Sequence, residues 1–185
     1  GPVFASTRFG NVLGSSGSVI PIFHNQIAKG GPVTLTHNDM TRFVMSVEES
    51  VQLVLNSAKY AKGGEVFVTK MPVIRIKDLA IAMIELLSPI YGFNPSDILI
   101  KEIGTKPGEK LYEELMSDEE LRRTVELDNY FSVLPAFRGI YQDIKYDYTN
   151  IIADSVSNPY TSDHQKALSI SEIKSFLQKF NLLES

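Results

Sequence analysis

The sequence predicts an α/β fold in which strands and helices alternate along the chain. Short β-branched or aromatic runs alternate with amphipathic stretches of helical period. Ser-x-x-Glu boxes at Ser46 with Glu49 and Ser169 with Glu172 mark helix starts, and Gly30-Gly31 and Gly63-Gly64 mark helix ends. That alternation suits α/β layering and not a sandwich or a bundle.

Val3 to Phe9 is a short β-leaning run. Gly10-Asn-Val-Leu-Gly-Ser-Ser-Gly17 reads as a loop. Ser18 suits an N-cap, with Val19, Ile20, Ile22, Phe23, Ile27 and Ala28 on one helix face. Val33 to Thr36 and Arg42 to Met45 read as strands. After Ser46, the residues Val47, Val51, Leu53, Val54 and Ala58 define an amphipathic helix. Glu65 to Thr69 is a strand, and Lys77-Asp78 opens a helix with Leu79, Ala82, Met83, Leu86 and Leu87 inward. Asp97 to Glu102 is a further strand. The charged run Lys110 to Arg123 is expected to be helical, and Arg123 to Leu134 is β-rich. Residues 135–168 read as loops, before a closing helix through Phe180.

Composition excludes several classes of function. At 185 residues the chain suits one domain or slightly more, and buries about 70% of its unfolded surface. With 43% hydrophobic and 22% charged residues it is an ordinary globular sequence, not a disordered one. Without cysteine there is no disulfide, thiolate nucleophile or zinc finger. No apolar run reaches the ~20 residues of a membrane helix, so no membrane insertion is expected. A formal charge of −4 with scattered Lys and Arg argues against nucleic acid. With no signal-peptide pattern, a cytoplasmic protein is expected.

Three segments carry candidate chemistry. The glycine-rich loop 10–17 before a helix either presents backbone N–H groups to a phosphate or is a connector. Its Gly10, Gly14 and Gly17 match neither the dinucleotide fingerprint nor a Walker loop. Arg42 suits bidentate phosphate binding or, alternatively, a salt bridge with Asp39 or Glu48. In Gly104-Thr-Lys-Pro-Gly-Glu-Lys110, Lys106 and Lys110 either meet a phosphate or ribose or decorate a solvated loop. His24, His37 and His164 lack ligand spacing, so no metal site is expected, and Glu113-Glu114 reads as a solvated face.

The run Arg8-Phe-Gly-Asn-Val-Leu-Gly-Ser-Ser-Gly-Ser-Val-Ile-Pro21 resembles the later part of the CapD-like polysaccharide biosynthesis proteins. The resemblance continues through Gly30-Gly-Pro-Val-Thr-Leu-Thr-His37, Asp39-Met-Thr-Arg-Phe43 and Ser46 to Val54. Lys106-Pro-Gly-Glu-Lys-Leu-Tyr-Glu-Glu-Leu115 and Pro159-Tyr-Thr-Ser-Asp163 extend it to nearly the whole chain. That family consists of extended short-chain dehydrogenase/reductases acting as nucleotide-sugar 4,6-dehydratases or epimerases. The resemblance therefore implies the C-terminal portion of a Rossmann-type enzyme: the last sheet strands plus the smaller substrate-binding region, over residues 1–185.

It also implies roles. Phe9 and Gly10 would border the nicotinamide, and Asn11 would contact the phosphates of a UDP-sugar. Ser18 and Val19 would cap those phosphates, Thr34 would border the uracil, and Arg42 and Lys106 would bind the diphosphate. Lys106 replaces the arginine usual in that motif, keeping the charge but not the fork. The family's N-terminal Gly-rich loop and its Tyr-x-x-x-Lys pair have no counterpart here. Tyr141 with Lys145 has the spacing but lies far downstream. The expected function is the substrate-binding part of a UDP-N-acetylhexosamine-type 4,6-dehydratase or epimerase for surface polysaccharide. NAD or NADP would serve the intact parent, and this chain alone would bind neither. The alternative is a non-catalytic nucleotide-binding module or truncated product that needs a partner chain. Homo-oligomerisation, or association through an exposed sheet edge, is also expected.

Overall fold

The computed structural model describes residues 1–185 except Ser16, Lys106, Arg138, Glu184 and Ser185. The chain divides into two compact units, each assembled from three separate stretches.

Unit 1 comprises Gly1–Gly10, Glu48–Met71 and Glu114–Thr161. Its main sheet is built from β1 (Ser6–Arg8), β5 (Val66–Thr69), β9 (Thr124–Leu127), β10 (Tyr130–Val133) and β11 (Ile151–Ala153) in the order β1-β5-β10-β9-β11. β1 runs parallel to β5 and occupies an edge, while the other pairings are antiparallel. Phe67, Val68, Leu127 and Val133 are fully buried in this sheet. A second antiparallel pair joins β8 (Glu114–Met116) to β12 (Tyr160–Thr161).

All but the first residue of α2 (Val47–Tyr60) belongs to unit 1. The expected apolar face is largely outward: Leu53 and Ser57 are buried, whereas Val51, Val54 and Leu55 are about half exposed or more. The Gly63-Gly64 break is required by packing. Gly64 has φ +82°, and a Cβ there would lie 2.7 Å from the Tyr141 ring. Tyr141 thus packs on a tight turn.

Unit 2 comprises Asn11–Val47, Pro72–Glu113 and Ser162–Ser185. It contains β2 (Asn11–Val12), α1 (Val19–Ala28), β3 (Val33–Leu35), β4 (Thr41–Met45), β6 (Val73–Arg75), α3 (Ile76–Leu87), β7 (Ile100–Glu102) and α4 (Ile170–Lys179). β2, β4 and β6 form one sheet in that order, with β2 parallel to β4 and β6 antiparallel to it. β3 pairs in parallel with β7. Ile20, Phe23 and Ile27 of α1, Leu79 and Met83 of α3, and Ile173 and Leu177 of α4 share one apolar core. The α4 capping box forms as expected, with Ser169 Oγ accepting from Glu172 N–H and the Glu172 carboxylate accepting from Ser169 N–H.

Two expectations are corrected. Lys110 to Arg123 is not a helix: it holds a bend at Leu111–Tyr112, β8 and a 3-10 turn at Glu120–Arg123. Its backbone bonds go to distant partners. Thr41 N–H donates to Leu111 C=O (2.9 Å), and Glu113 N–H donates to Ser162 Oγ (2.9 Å). Such tertiary bonds outweigh the modest helix propensity of charged residues. β6 is an additional strand, too short at three residues and too close to Pro72 for a periodic signal.

Candidate functional site

β2 fixes the start of the site. Asn11 pairs with Val44 in parallel register, and Leu13 N–H donates to Met45 C=O (2.9 Å). The chain then turns through Gly14 (φ +84°), where a Cβ would come 2.8 Å from Leu182 Cδ2. Ser18 N–H donates back to Ser15 C=O (3.0 Å), and α1 begins at Val19.

Ser18 has the extended backbone of an N-cap, yet its hydroxyl makes no cap bond, and Oγ is buried with no partner among the described residues. The sequence supplies part of the reason. An N-cap oxygen bonds the N–H of N2 or N3, and N3 here is Pro21, which has none. The first-turn N–H groups of Val19 and Ile20 also lie beyond intrahelical bonding. A buried hydroxyl therefore stands at the positive end of a ten-residue helix, whose first-turn N–H groups have no intrahelical acceptor.

Thr34 of β3 is held by an amide clamp. Gln26 Nε2 donates to Thr34 Oγ1 (2.7 Å), and Thr34 N–H donates to Gln26 Oε1 (3.0 Å). With an oxygen lone pair used by Gln26, the threonine hydroxyl proton remains available to a ligand. Gly17, Ser18, Val19 and Thr34 line one cavity of about 510 Å³, with Leu13, Phe23, Met40, Val44 and Ile74 forming apolar wall. That size and mixture are typical of small-molecule sites. Ile22, expected on the buried helix face, is 54% exposed and lines the same cavity.

Arg42 lies on β4 with its guanidinium turned toward the 110–111 backbone. Nη1 donates to Thr41 C=O (2.7 Å) and Leu111 C=O (3.2 Å), and Nη2 donates to Lys110 C=O (2.9 Å). The carboxylate beside it is Glu113, 4.0 Å from Nε, and not Asp39 or Glu48. Glu113 Oε1 also accepts from Asn11 Nδ2 (2.8 Å), and Oε2 accepts from Phe43 N–H (2.9 Å). The second Asn11 amide hydrogen goes to Phe43 C=O (3.0 Å).

Of the expected site residues, Asn11, Ser18, Val19, Thr34 and Arg42 all line this one cavity. Lys106 lies outside the described residues. Phe9 and Gly10 belong to unit 1. Phe9 is 42% exposed, and the two are followed by β2 and not by a helix N-terminus. Sequence reasoning missed Gln26 and Glu113. No periodic signal marked either residue: Leu111 and Leu115 are spaced i, i+4, as in a helix.

Residues 1–135 match the family described as polysaccharide biosynthesis protein. The chain belongs to that family. This family member is 58% identical over 132 residues to a Methanocaldococcus jannaschii protein named uncharacterized membrane protein MJ1061, covering 71% of this chain and 40% of that one. It is 52% identical over 119 residues to the capsular polysaccharide biosynthesis protein CapD of Staphylococcus aureus, covering 64% and 19%. It is 38% identical over 182 residues to a UDP-glucose 4-epimerase of Rickettsia bellii, covering 98% and 51%. The chain thus spans about half, or less, of these relatives' lengths. The X-ray structure of Pen from Bacillus thuringiensis superposes with a TM-score of 0.84 at 39% identity, over 97% of this chain and 50% of that one. The expected α/β architecture of the C-terminal portion of a Rossmann-type extended short-chain dehydrogenase/reductase, and its CapD-like kinship, are found. Among the described residues no helix is long and apolar enough to cross a membrane.

Proposed function

We propose that the unit 2 cavity binds the nucleotide diphosphate of a UDP-sugar, as the substrate-binding part of an enzyme of surface polysaccharide synthesis. The observation that carries this reading is the buried Ser18 hydroxyl, without a partner among the described residues, at the N-terminus of α1. Those groups suit phosphate oxygens, which accept hydrogen bonds and carry negative charge. Thr34 and the apolar wall suit a base, and the names of the epimerase and capsular relatives agree with this substrate class. Val19 contributes its amide, and Arg42 contributes positive charge at the rim.

In the longer protein, NAD or NADP would oxidise the sugar at its 4-position and take part in dehydration or epimerisation. The residues described here would bind and orient the nucleotide. The open β1 edge and the exposed α2 side chains of unit 1 would serve association.

Calorimetric titration with UDP tests the reading. The wild-type chain is expected to bind UDP saturably and NAD not at all. Ser18→Asp, which places a carboxylate among the phosphate-facing groups, is expected to abolish UDP binding. A folded chain without UDP affinity, or a Ser18→Asp variant that binds as well as wild type, would refute it.

A further inference from the structure

We infer that Glu113 is a positioning residue that fixes the hydrogen-bonding polarity of Asn11, so that Asn11 meets the ligand as an acceptor only. This inference rests on the nucleotide-sugar reading of the cavity for its ligand and on Glu113 geometry for the rest. Both amide hydrogens of Asn11 are committed, one to Glu113 Oε1 (2.8 Å) and one to Phe43 C=O (3.0 Å). Both partners are pure acceptors, so the opposite amide orientation would set oxygen against two oxygens. The other carboxylate oxygen accepts from Phe43 N–H (2.9 Å), tying Glu113 to the strand that carries Arg42. Glu113 is itself held by its backbone, whose N–H donates to buried Ser162 Oγ (2.9 Å) and whose C=O accepts from Ser162 N–H (2.9 Å).

The polar atom that Asn11 has left is Oδ1, to which no described residue donates. An oxygen there repels phosphate oxygens and attracts a ligand hydroxyl. The geometry therefore gives the phosphates to Ser18 and Val19 and a sugar or ribose hydroxyl to Asn11. A glutamine at 113 would upset this arrangement, because it puts an NH2 group in place of one of the two separate carboxylate oxygens that accept from Asn11 Nδ2 and Phe43 N–H. Its own NH2 would force either Asn11 to turn over or Phe43 to lose its partner.

Two measurements decide the matter. Without ligand, the Asn11 side-chain NH2 signals in an amide NMR spectrum are expected to exchange slowly in the wild-type chain and to shift and exchange faster in Glu113→Gln. With ligand, Glu113→Gln is expected to weaken UDP-glucose about tenfold, the worth of one hydrogen bond, while leaving inorganic pyrophosphate within about twofold. Fast exchange of the Asn11 amide in the wild-type chain would overturn the inference even if the variant failed to fold. Equal weakening of both ligands, or of neither, in a folded variant would overturn it as well. A wild-type chain that binds neither ligand but shows the protected Asn11 amide would refute the nucleotide-sugar reading and support the role of Glu113.

Discussion

Arg8 and Glu120, 112 positions apart in sequence, meet in a two-point fork: Nη1 donates to Oε2 at 2.8 Å and Nη2 to Oε1 at 2.6 Å. Arg8 also donates to Leu115 C=O (2.7 Å), and Ser117 N–H donates to Glu120 (3.0 Å). The pair therefore joins β1 to the turn after β8 within unit 1.

An acid limb of stability follows from this fork. The hydrogen bonds from Arg8, outweighing the cost of burial and helped by Ser117 N–H, hold the Glu120 carboxyl at about 2 against an ordinary 4.5. A depressed folded-state value means the stabilisation is complete above about pH 4.5 and is lost as pH falls toward 2. Glu120→Gln should cost about 1–3 kcal/mol near neutrality and flatten stability over that window. Urea denaturation at a series of pH values checks it, and an unchanged acid limb would refute it.

Glu65 is fully buried and accepts from Lys62 N–H, from Gly63 N–H at 2.6 Å and from the Tyr148 hydroxyl at 3.2 Å. Glu65→Ala should destabilise the fold by about 3 kcal/mol by stranding those donors, and Tyr148→Phe by about 1 kcal/mol. Burial pushes the Tyr148 hydroxyl above its usual value, so it also opposes unfolding less as pH rises past about 10, where the unfolded chain ionises. Thermal melts of both variants, and of wild type at pH 8 to 11, report these effects.

Gly64→Ala places a methyl group 2.7 Å from the Tyr141 ring and 2.8 Å from Pro135 Cγ at a left-handed backbone position. A loss of about 2–4 kcal/mol is expected. Truncating the ring in the double variant Gly64→Ala with Tyr141→Ala should cost less than the sum of the single changes, as a double-mutant cycle would show.

Arg42→Lys keeps the charge but not the planar set of donors that reaches the carbonyls of Thr41, Lys110 and Leu111. Hydrogen exchange at the backbone amides of residues 108–112 should quicken in that variant while α4 stays protected. Unchanged exchange in that stretch would mean the arginine does not hold it.

Strand and helix order was legible where the periodic signal was long, as in α1 and α3, or where a cap was explicit, as at Ser169. Glu113 shows the limit. Next to Glu114 it reads as solvated charge, and only the return of Asn11 and Phe43 from 102 and 70 positions away gives it partners. The N-terminal glycine loop was readable as two alternatives, and Pro21 removes the N3 amide that the Ser18 hydroxyl could have capped. α2 misled for a different reason. Its periodicity is real, but periodicity marks an apolar face without saying what covers it.

Every described residue lining the cavity comes from unit 2, and that unit is drawn from three stretches separated by segments of unit 1. Such a site is inherited as an interrupted block. A recombination point placed between residues 47 and 72 would part Arg42 and Asn11 from the Lys110–Glu113 segment that orients them. Exchange of chemistry between relatives is therefore easier by point substitution around an intact cradle than by swapping contiguous halves.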